Sequence, residues 1–418
     1  LSYLAFVLAN RRFLAFGFAT AFFSSFGQTY FIALFNEELR ALFGLGHGGL
    51  GTIYGLATLT SAALMLQVGQ WIDRFDLRLY AGLVAAGMAV ACLFMSVVPA
   101  ASVLFLYLAL LLLRFFGQGL LSHVSATAMA RYFEQGRGRA LSLASLGFAG
   151  GEALFPPLAV ALIALVGWRQ TWGAVGLALA LGLVPLLLWL LRGHAARHAA
   201  HASRSAAQTA TSRQWSRAEV LRDSVFYLLL PAFLAPSFIN TGVFFNQTTL
   251  VEAKGWTLQL FASGFAVYAG FTLMAALGSG VLVDRLGGLR LFGLVLLPLA
   301  AGLLTLGLVE SPVAIFAYMA LAGLSTGAFN TTSNAMLPEV YGTGHLGAIR
   351  ALFVSLMVLS TAASPAIMGW MLDAGLEIET IVLLCLGWIA IGTALVPLAV
   401  RRASRRAALV PAASTERT

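Results

Sequence analysis

Two formal charges lie deep inside apolar stretches of this chain, Arg114 and Glu152. A charge at the centre of a membrane helix costs about 2.5–3.5 kcal/mol on insertion scales, so each needs a partner or a task. Arg114 stands 16 residues before Ala130, and Glu152 stands 14 residues after Gly138. At 1.5 Å per residue, both lie roughly 21–24 Å from the same ends of two consecutive helices, which predicts an ion pair between them. Such a pair has two readings. Glu152 could take a proton while Arg114 holds an anionic substrate, coupling the two events, or the pair could simply stabilise the bundle.

The neutral polar residues fall on single helix faces at 100° per residue. Arg114, Gln118 and Ser125 share one face, and His123 points the opposite way, as a satisfied packing residue would. Asn240 aligns with Gln247, and Thr326 with Asn330 and Asn334. Tyr54 aligns with Thr58 and Ser61, and Tyr268 with Thr272. Amides and hydroxyls are costly against lipid, so these faces are expected to look onto a wet cavity or to bond a neighbouring helix. The expected substrate-binding set is therefore Arg114, Gln28, Asn240, Gln247, Tyr54, Tyr268, Asn330 and Asn334, with Glu152 and Arg114 coupling the proton. Arg350 is expected to snorkel to headgroups, with anion steering and closure of the cavity mouth as alternatives.

Helices must hold these residues, and composition says in what solvent. Of 418 residues, 60% are hydrophobic and 10% charged. A soluble domain carries about 25% charged residues, so this chain is made for lipid. Apolar runs long enough to cross a hydrocarbon core of about 30 Å recur along it. They place spans near 13–35, 50–71, 79–98, 102–129, 138–166, 170–191, 225–249, 260–283, 289–309, 313–336, 345–371 and 379–400. An even number puts both termini on one side. With the termini inside, 21 of the 25 basic residues fall in cytoplasmic segments and only Arg40, Arg169 and Lys254 outside, Arg114 being within a span. The positive-inside rule thus sets the orientation and explains the net charge of +9 without a nucleic-acid partner. Cys92 and Cys385 sit in apolar runs and read as core residues, not as a disulfide or metal site. The first run is too long for a cleaved leader, and the sequence opens on Leu1 rather than Met, so residues ahead of it are expected.

The two halves match each other. Ser25-Phe26-Gly27-Gln28-Thr29 resembles Ser237-Phe238-Ile239-Asn240-Thr241 at an offset of 212. Gly69 and Asp73-Arg74 recur as Gly280 and Asp284-Arg285 at 211, and Gly136, Pro157 and Gly167 recur as Gly344, Pro365 and Gly375 at 208. The repeat makes Gln28 and Asn240 equivalent. It divides the chain into a six-helix bundle over 1–191, a linker over 192–224, a second bundle over 225–400 and a tail over 401–418. The stretch Gly69-x-x-x-Asp73-Arg74, with Arg78 beyond it, resembles the signature loop of the major facilitator superfamily. Asp76 stands there where a second glycine is usual, and Gly280-x-x-x-Asp284-Arg285-Leu-Gly287-Gly288-x-Arg290 is the closer match. The resemblance implies an all-α membrane protein of twelve transmembrane helices in two pseudo-symmetric bundles. It also implies a conformational latch at Asp73, Arg74, Asp284 and Arg285. Arg114 followed by Gly117 and Gly119, the run from Arg131 to Arg139, and Gly147, Gly150, Gly151 and Gly167-Trp168-Arg169 resemble the monocarboxylate and oxalate:formate branch. That branch's basic residue in the eighth span is absent.

No phosphate loop, metal-ligand cluster or catalytic triad spacing is present, so neither an enzyme nor a cofactor is expected. The expected function is secondary active transport of a small organic anion, coupled to protons, by alternating access. One alternative is export of amphipathic drugs or metabolites by proton antiport, although the Gly-Pro signature of drug antiporters is missing. Another is a non-transporting receptor or assembly factor on the same scaffold. The expected partners are the small-molecule substrate, protons and lipid, with the monomer as the working unit. A single lysine and abundant alanine point to a GC-rich bacterial genome and hence to the inner membrane.

Overall fold

In hydrocarbon a backbone amide finds no partner but the chain itself, and an α-helix satisfies every one internally. The computed structural model describes residues 3–73, 75–133, 136–193, 217–342 and 346–408. Among these, twelve helices are long and apolar enough to cross a membrane. They are α1 (Leu4–Gly27), α2 (His47–Ile72), α3 (Leu77–Ser96), α4 (Val103–Tyr132), α5 (Gly138–Val166) and α6 (Trp168–Leu190), then α7 (Ser224–Phe245), α8 (Leu258–Leu286), α9 (Gly288–Leu308), α10 (Val313–Tyr341), α11 (Ile349–Asp373) and α12 (Ile378–Arg405). Most of the expected linker, and the tail beyond residue 408, lie outside the described residues.

Polar side chains set several helix starts. Asp76 accepts from the amides of Arg78 (2.9 Å) and Leu79 (3.2 Å) and so caps α3, and Ser102 caps α4 through the amide of Leu104 (3.2 Å). Asp76 is the residue that replaces the usual glycine of the signature loop. In the second half, Glu339 accepts from the amide of Leu289 (3.0 Å) at the start of α9.

The expectation of a single first helix over 13–35 needs correcting. Its α-helical part runs over Tyr3–Phe23, tightens into a 3-10 turn at Ser24–Gly27 and breaks at Gln28, whose backbone is extended (φ −83°, ψ 152°). Helix resumes at Thr29–Ile32 and ends with Asn36–Phe43. Gly27 is the reason. A Cβ there would stand 2.3 Å from the carbonyl oxygen of Leu113 and 2.6 Å from the Cα of Gly117, so α1 and α4 cross backbone against backbone. Directly opposite, Arg114–Leu121 is wound as a π-helix, an irregularity that recurs at functional positions in helices.

The chain separates into two compact units. The first holds Leu1–Thr209 with Thr241–Ala269 and Ala362–Leu376, and the second holds Ala210–Asn240, Gly270–Thr361 and Glu377–Thr418. Equivalent helices pair within them. In the first unit α3 packs on α4 and α6, and in the second α9 packs on α10 and α12. α1 packs on α5, and α7 likewise meets α11, where Ser360 donates to the Leu234 carbonyl (3.3 Å) and Phe353 packs against Phe226 (5.2 Å) and Phe233 (4.6 Å).

Candidate functional site

Arg114 leaves α4 where the π-helical turn begins and is 2% exposed. Its Nε donates to Thr58 Oγ1 (3.1 Å), and its Nη1 donates to the Gly27 carbonyl (3.1 Å) and to Thr29 Oγ1 (3.4 Å). The Tyr54 ring lies 5.0 Å from the guanidinium carbon, and the Tyr54 hydroxyl bonds Thr29 Oγ1 (2.7 Å). The break in α1 is what frees the Gly27 carbonyl for this role. The partners are two hydroxyls, a carbonyl and a π-face, and all are formally neutral.

The ion pair expected between Arg114 and Glu152 is not formed. The broken part of α1, Ser24–Gly27, touches both the π-turn of α4 and α5 and so lies between the two residues. The expectation rested on depth alone, which ignores the helix wedged between α4 and α5. Glu152 is half-buried on α5 and has no cationic partner among the described residues. Beside it, Phe155 packs against Phe22 (4.6 Å), Phe26 (4.4 Å) and Phe23 (5.9 Å between centroids).

Of the other expected substrate residues, Gln28 is half-buried at the α1 break. Tyr54 is fully buried beside Arg114, its ring 4.7 Å from that of Phe245. Tyr268 packs edge-on against Phe244 (5.4 Å). Gln247 corrects the sequence reading. α7 ends at Phe245 and a new helix starts at Gln247, so the alignment of Gln247 with Asn240 is lost. Gln247 is fully buried, and its amide nitrogen donates to the Tyr30 carbonyl (3.0 Å).

In the second unit, Asn240 donates to Thr326 Oγ1 (3.1 Å), and its own Oδ1 is buried without a partner. Asn330 and Asn334 are exposed on one face of α10. Arg350 is exposed and donates to Asn334 Oδ1. Asp284 and Arg285 are exposed at the end of α8. The side chains of Asp73 and Arg74 lie outside the described residues. His123 Nε2 bonds the Gly69 carbonyl (3.1 Å), as a packing residue would.

The first unit also contains a seam that periodicity did not reveal. Asp373, at the end of α11, accepts from the backbone amides of His47 (2.9 Å) and Gly48 (2.8 Å), the first residues of α2. Below this cap the two helices meet along glycines. A Cβ on Gly51 would stand 2.3 Å from the Pro365 carbonyl oxygen, and one on Gly55 would stand 2.4 Å from that of Ala362. Arg40 donates to His47 Nε2 (2.7 Å), Asn36 donates to the Phe245 carbonyl (2.6 Å), and Gln259 donates to the Pro157 carbonyl (3.3 Å). These contacts join the ends of α7, α8 and α11 that lie away from the chain termini to the matching ends of α1, α2 and α5. The sequence signal was the spacing of Gly48, Gly51 and Gly55, a small-residue stripe of the kind that lets membrane helices approach closely.

Residues 17–365 match the model of the Major Facilitator Superfamily. No curated protein matches the chain. Among solved structures, a bacterial homologue of the human lysosomal transporter Spinster, in an inward-facing and occupied conformation, is 16% identical with a TM-score of 0.67, over 96% of this chain and 97% of that one. A mutant of the nucleoside transporter NupG is 12% identical with a TM-score of 0.70, over 93% of this chain and 99% of that one. At such identities these likenesses show the fold. With twelve spanning helices, paired equivalents in its two halves and a family match over most of its length, the chain belongs to the major facilitator superfamily and is a secondary transporter.

Proposed function

We propose that the protein moves a small organic anion of the monocarboxylate class across the membrane by alternating access, with Glu152 carrying a coupled proton. The observation that carries this reading is Arg114. A fully buried guanidinium whose partners are all neutral leaves a positive charge uncompensated, and a substrate carboxylate supplies the missing charge. Glu152, without a cationic neighbour, can be neutralised by a proton. The resemblance of the stretch around Arg114 and of α5 to the monocarboxylate and oxalate:formate branch favours the same substrate class.

The orientation belongs to this reading. The excess of arginines in the segments shared with the termini makes that side cytoplasmic, in a bacterial inner membrane. The Asp373 seam then closes the external end, and transport requires it to part as the halves 1–191 and 225–400 rock about the linker 192–224. Asp73, Arg74, Asp284 and Arg285 act as the cytoplasmic latch, and the monomer suffices.

A second reading is favoured by the rings of Phe22, Phe23, Phe26 and Phe155 near Glu152. An unpaired carboxylate among aromatic faces suits an amphipathic cation expelled by proton antiport. Uptake into proteoliposomes of labelled carboxylates and of amphipathic cations, with and without a pH gradient, separates the two. Gradient-driven carboxylate uptake that Arg114→Gln abolishes supports the anion reading. Cation flux that needs Glu152 but survives Arg114→Gln replaces it with the second.

A further inference from the structure

We propose that the cavity between the start of α1 and the end of α6 seats the phosphate of an anionic phospholipid. The cavity measures about 370 Å³ and is lined by Arg11, Arg12 and Arg192 together with Asn10 and Leu8. That volume lies within the roughly 300–1,000 Å³ of ordinary small-molecule sites. No acidic side chain lines it. The inference is independent of the transported substrate.

The three guanidiniums are not equivalent. Arg12 is already committed, donating to the Trp189 carbonyl and lying 4.9 Å from the Trp189 ring. The neighbouring Leu188 carbonyl is likewise taken by Arg78 Nε (3.1 Å). These bonds cover the last carbonyls of α6 and hold Arg12 in place as one wall. Arg11 and Arg192 are exposed and have no partner among the described residues. Their forked donors match the tetrahedral oxygens of a phosphate, which accepts such bonds in pairs.

Two features favour a lipid over free phosphate as the source. Trp189 is 49% exposed and Leu8 is 58% exposed, so apolar surface suited to acyl chains flanks the basic pocket. Tryptophan rings favour the headgroup level of a bilayer, which sets the pocket at the depth of lipid phosphates. Basic pockets of this kind between membrane helices are suited to anionic headgroups.

The test uses purified full-length protein in neutral detergent, read by native mass spectrometry and by thermal unfolding. The probes are phosphatidylglycerol, phosphatidylcholine, diacylglycerol and inorganic phosphate. Phosphatidylglycerol should form a retained adduct and raise Tm, whereas phosphatidylcholine and diacylglycerol should do neither. The Arg11→Gln/Arg192→Gln double variant should bind it at least tenfold more weakly. The Arg11→Lys/Arg192→Lys variant should retain most binding, and Arg401→Gln/Arg402→Gln, which removes the same charge elsewhere, should bind like wild type. Undiminished binding by the glutamine pair, or equal loss in the Arg401/Arg402 control, overturns the site. Stabilisation by inorganic phosphate equal to that by phosphatidylglycerol overturns the lipid as its occupant. If the glutamine pair unfolds, the lysine pair and the salt dependence of the wild-type adduct decide, since a phosphate-guanidinium contact must weaken as salt rises.

Discussion

Asp373 caps the first turn of α2 from the far end of α11, accepting from the amides of His47 and Gly48 across 326 and 325 residues of sequence. A carboxylate at a helix N-terminus meets unsatisfied amides and the positive end of the helix dipole. Here the capped helix and the capping residue belong to opposite halves of the repeat. Any motion that separates α2 from α11 must therefore break the cap.

Removing it should open that end. Asp373→Ala forfeits about 1–2 kcal/mol of capping, which is roughly a tenfold shift in a conformational equilibrium. A cysteine at Thr248, which is 5% exposed, reports the change by its labelling rate. The native Cys92 and Cys385 are buried and contribute little background. An unchanged labelling rate would mean that the cap does not hold the end shut.

The glycine stripe of α2 should be intolerant of any side chain. Gly51→Ala sets a methyl group 2.3 Å from a backbone carbonyl that cannot step aside, a clash of about 1–3 kcal/mol. It should favour the opened state and slow transport. Gly49→Ala is the control, because the nearest atom to its Cβ is 3.5 Å away on the flexible Leu45 side chain. Equal effects of the two substitutions would deny the close approach of α2 and α11.

Closure of the same end should weaken as pH rises. Glu252 titrates above the usual carboxylate range, first because it is desolvated, then because the Glu37 carboxylate lies nearby and hydrogen-bonds its neutral form, with Arg40 acting the other way. Glu38, His47 and Asp373 are further titratable groups near the seam, and Glu38 also titrates above the usual carboxylate range, chiefly because it is desolvated. A raised carboxyl pKa means that the contact is stabilised when Glu252 is protonated and loses this contribution as pH climbs through the raised value. Glu37 and Glu252 are exposed, so the effect should be modest and should shrink with salt. In Thr248→Cys protein, labelling should rise with pH across the weakly acidic range, and Glu252→Gln should flatten that dependence. A pH profile untouched by Glu252→Gln would assign the titration elsewhere.

Thr58 tests how Arg114 is held. Thr58→Val keeps the shape but removes the acceptor of Arg114 Nε, at a cost of about 1–3 kcal/mol for a bond to a buried charge. Transport should fall, with Thr58→Ser restoring most of it. Full activity in the valine variant would show that the remaining partners suffice to orient the guanidinium.

The legible and illegible parts of this molecule divide by range. Twelve spans could be read from residues 1–418 because a helix in lipid needs only a local apolar run, and no distant contact can change that requirement. The internal repeat was legible for the same reason, being a comparison of the chain with itself. Side-chain partners were not. Rise per residue supplies the depths of Arg114 and Glu152, but their facing depends on where α1 breaks, and that break lies where Gly27 meets Gly117, 90 residues away in the chain numbering. Periodicity at 100° per residue also assumes unbroken α-helix. The π-turn at Arg114–Leu121 and the stop at Asn246 violate it, so Gln247 ends on the Tyr30 carbonyl and not beside Asn240. Local sequence determined which segments enter the membrane; only tertiary packing decided which polar atoms meet, because a buried donor takes whatever acceptor the fold brings within about 3 Å.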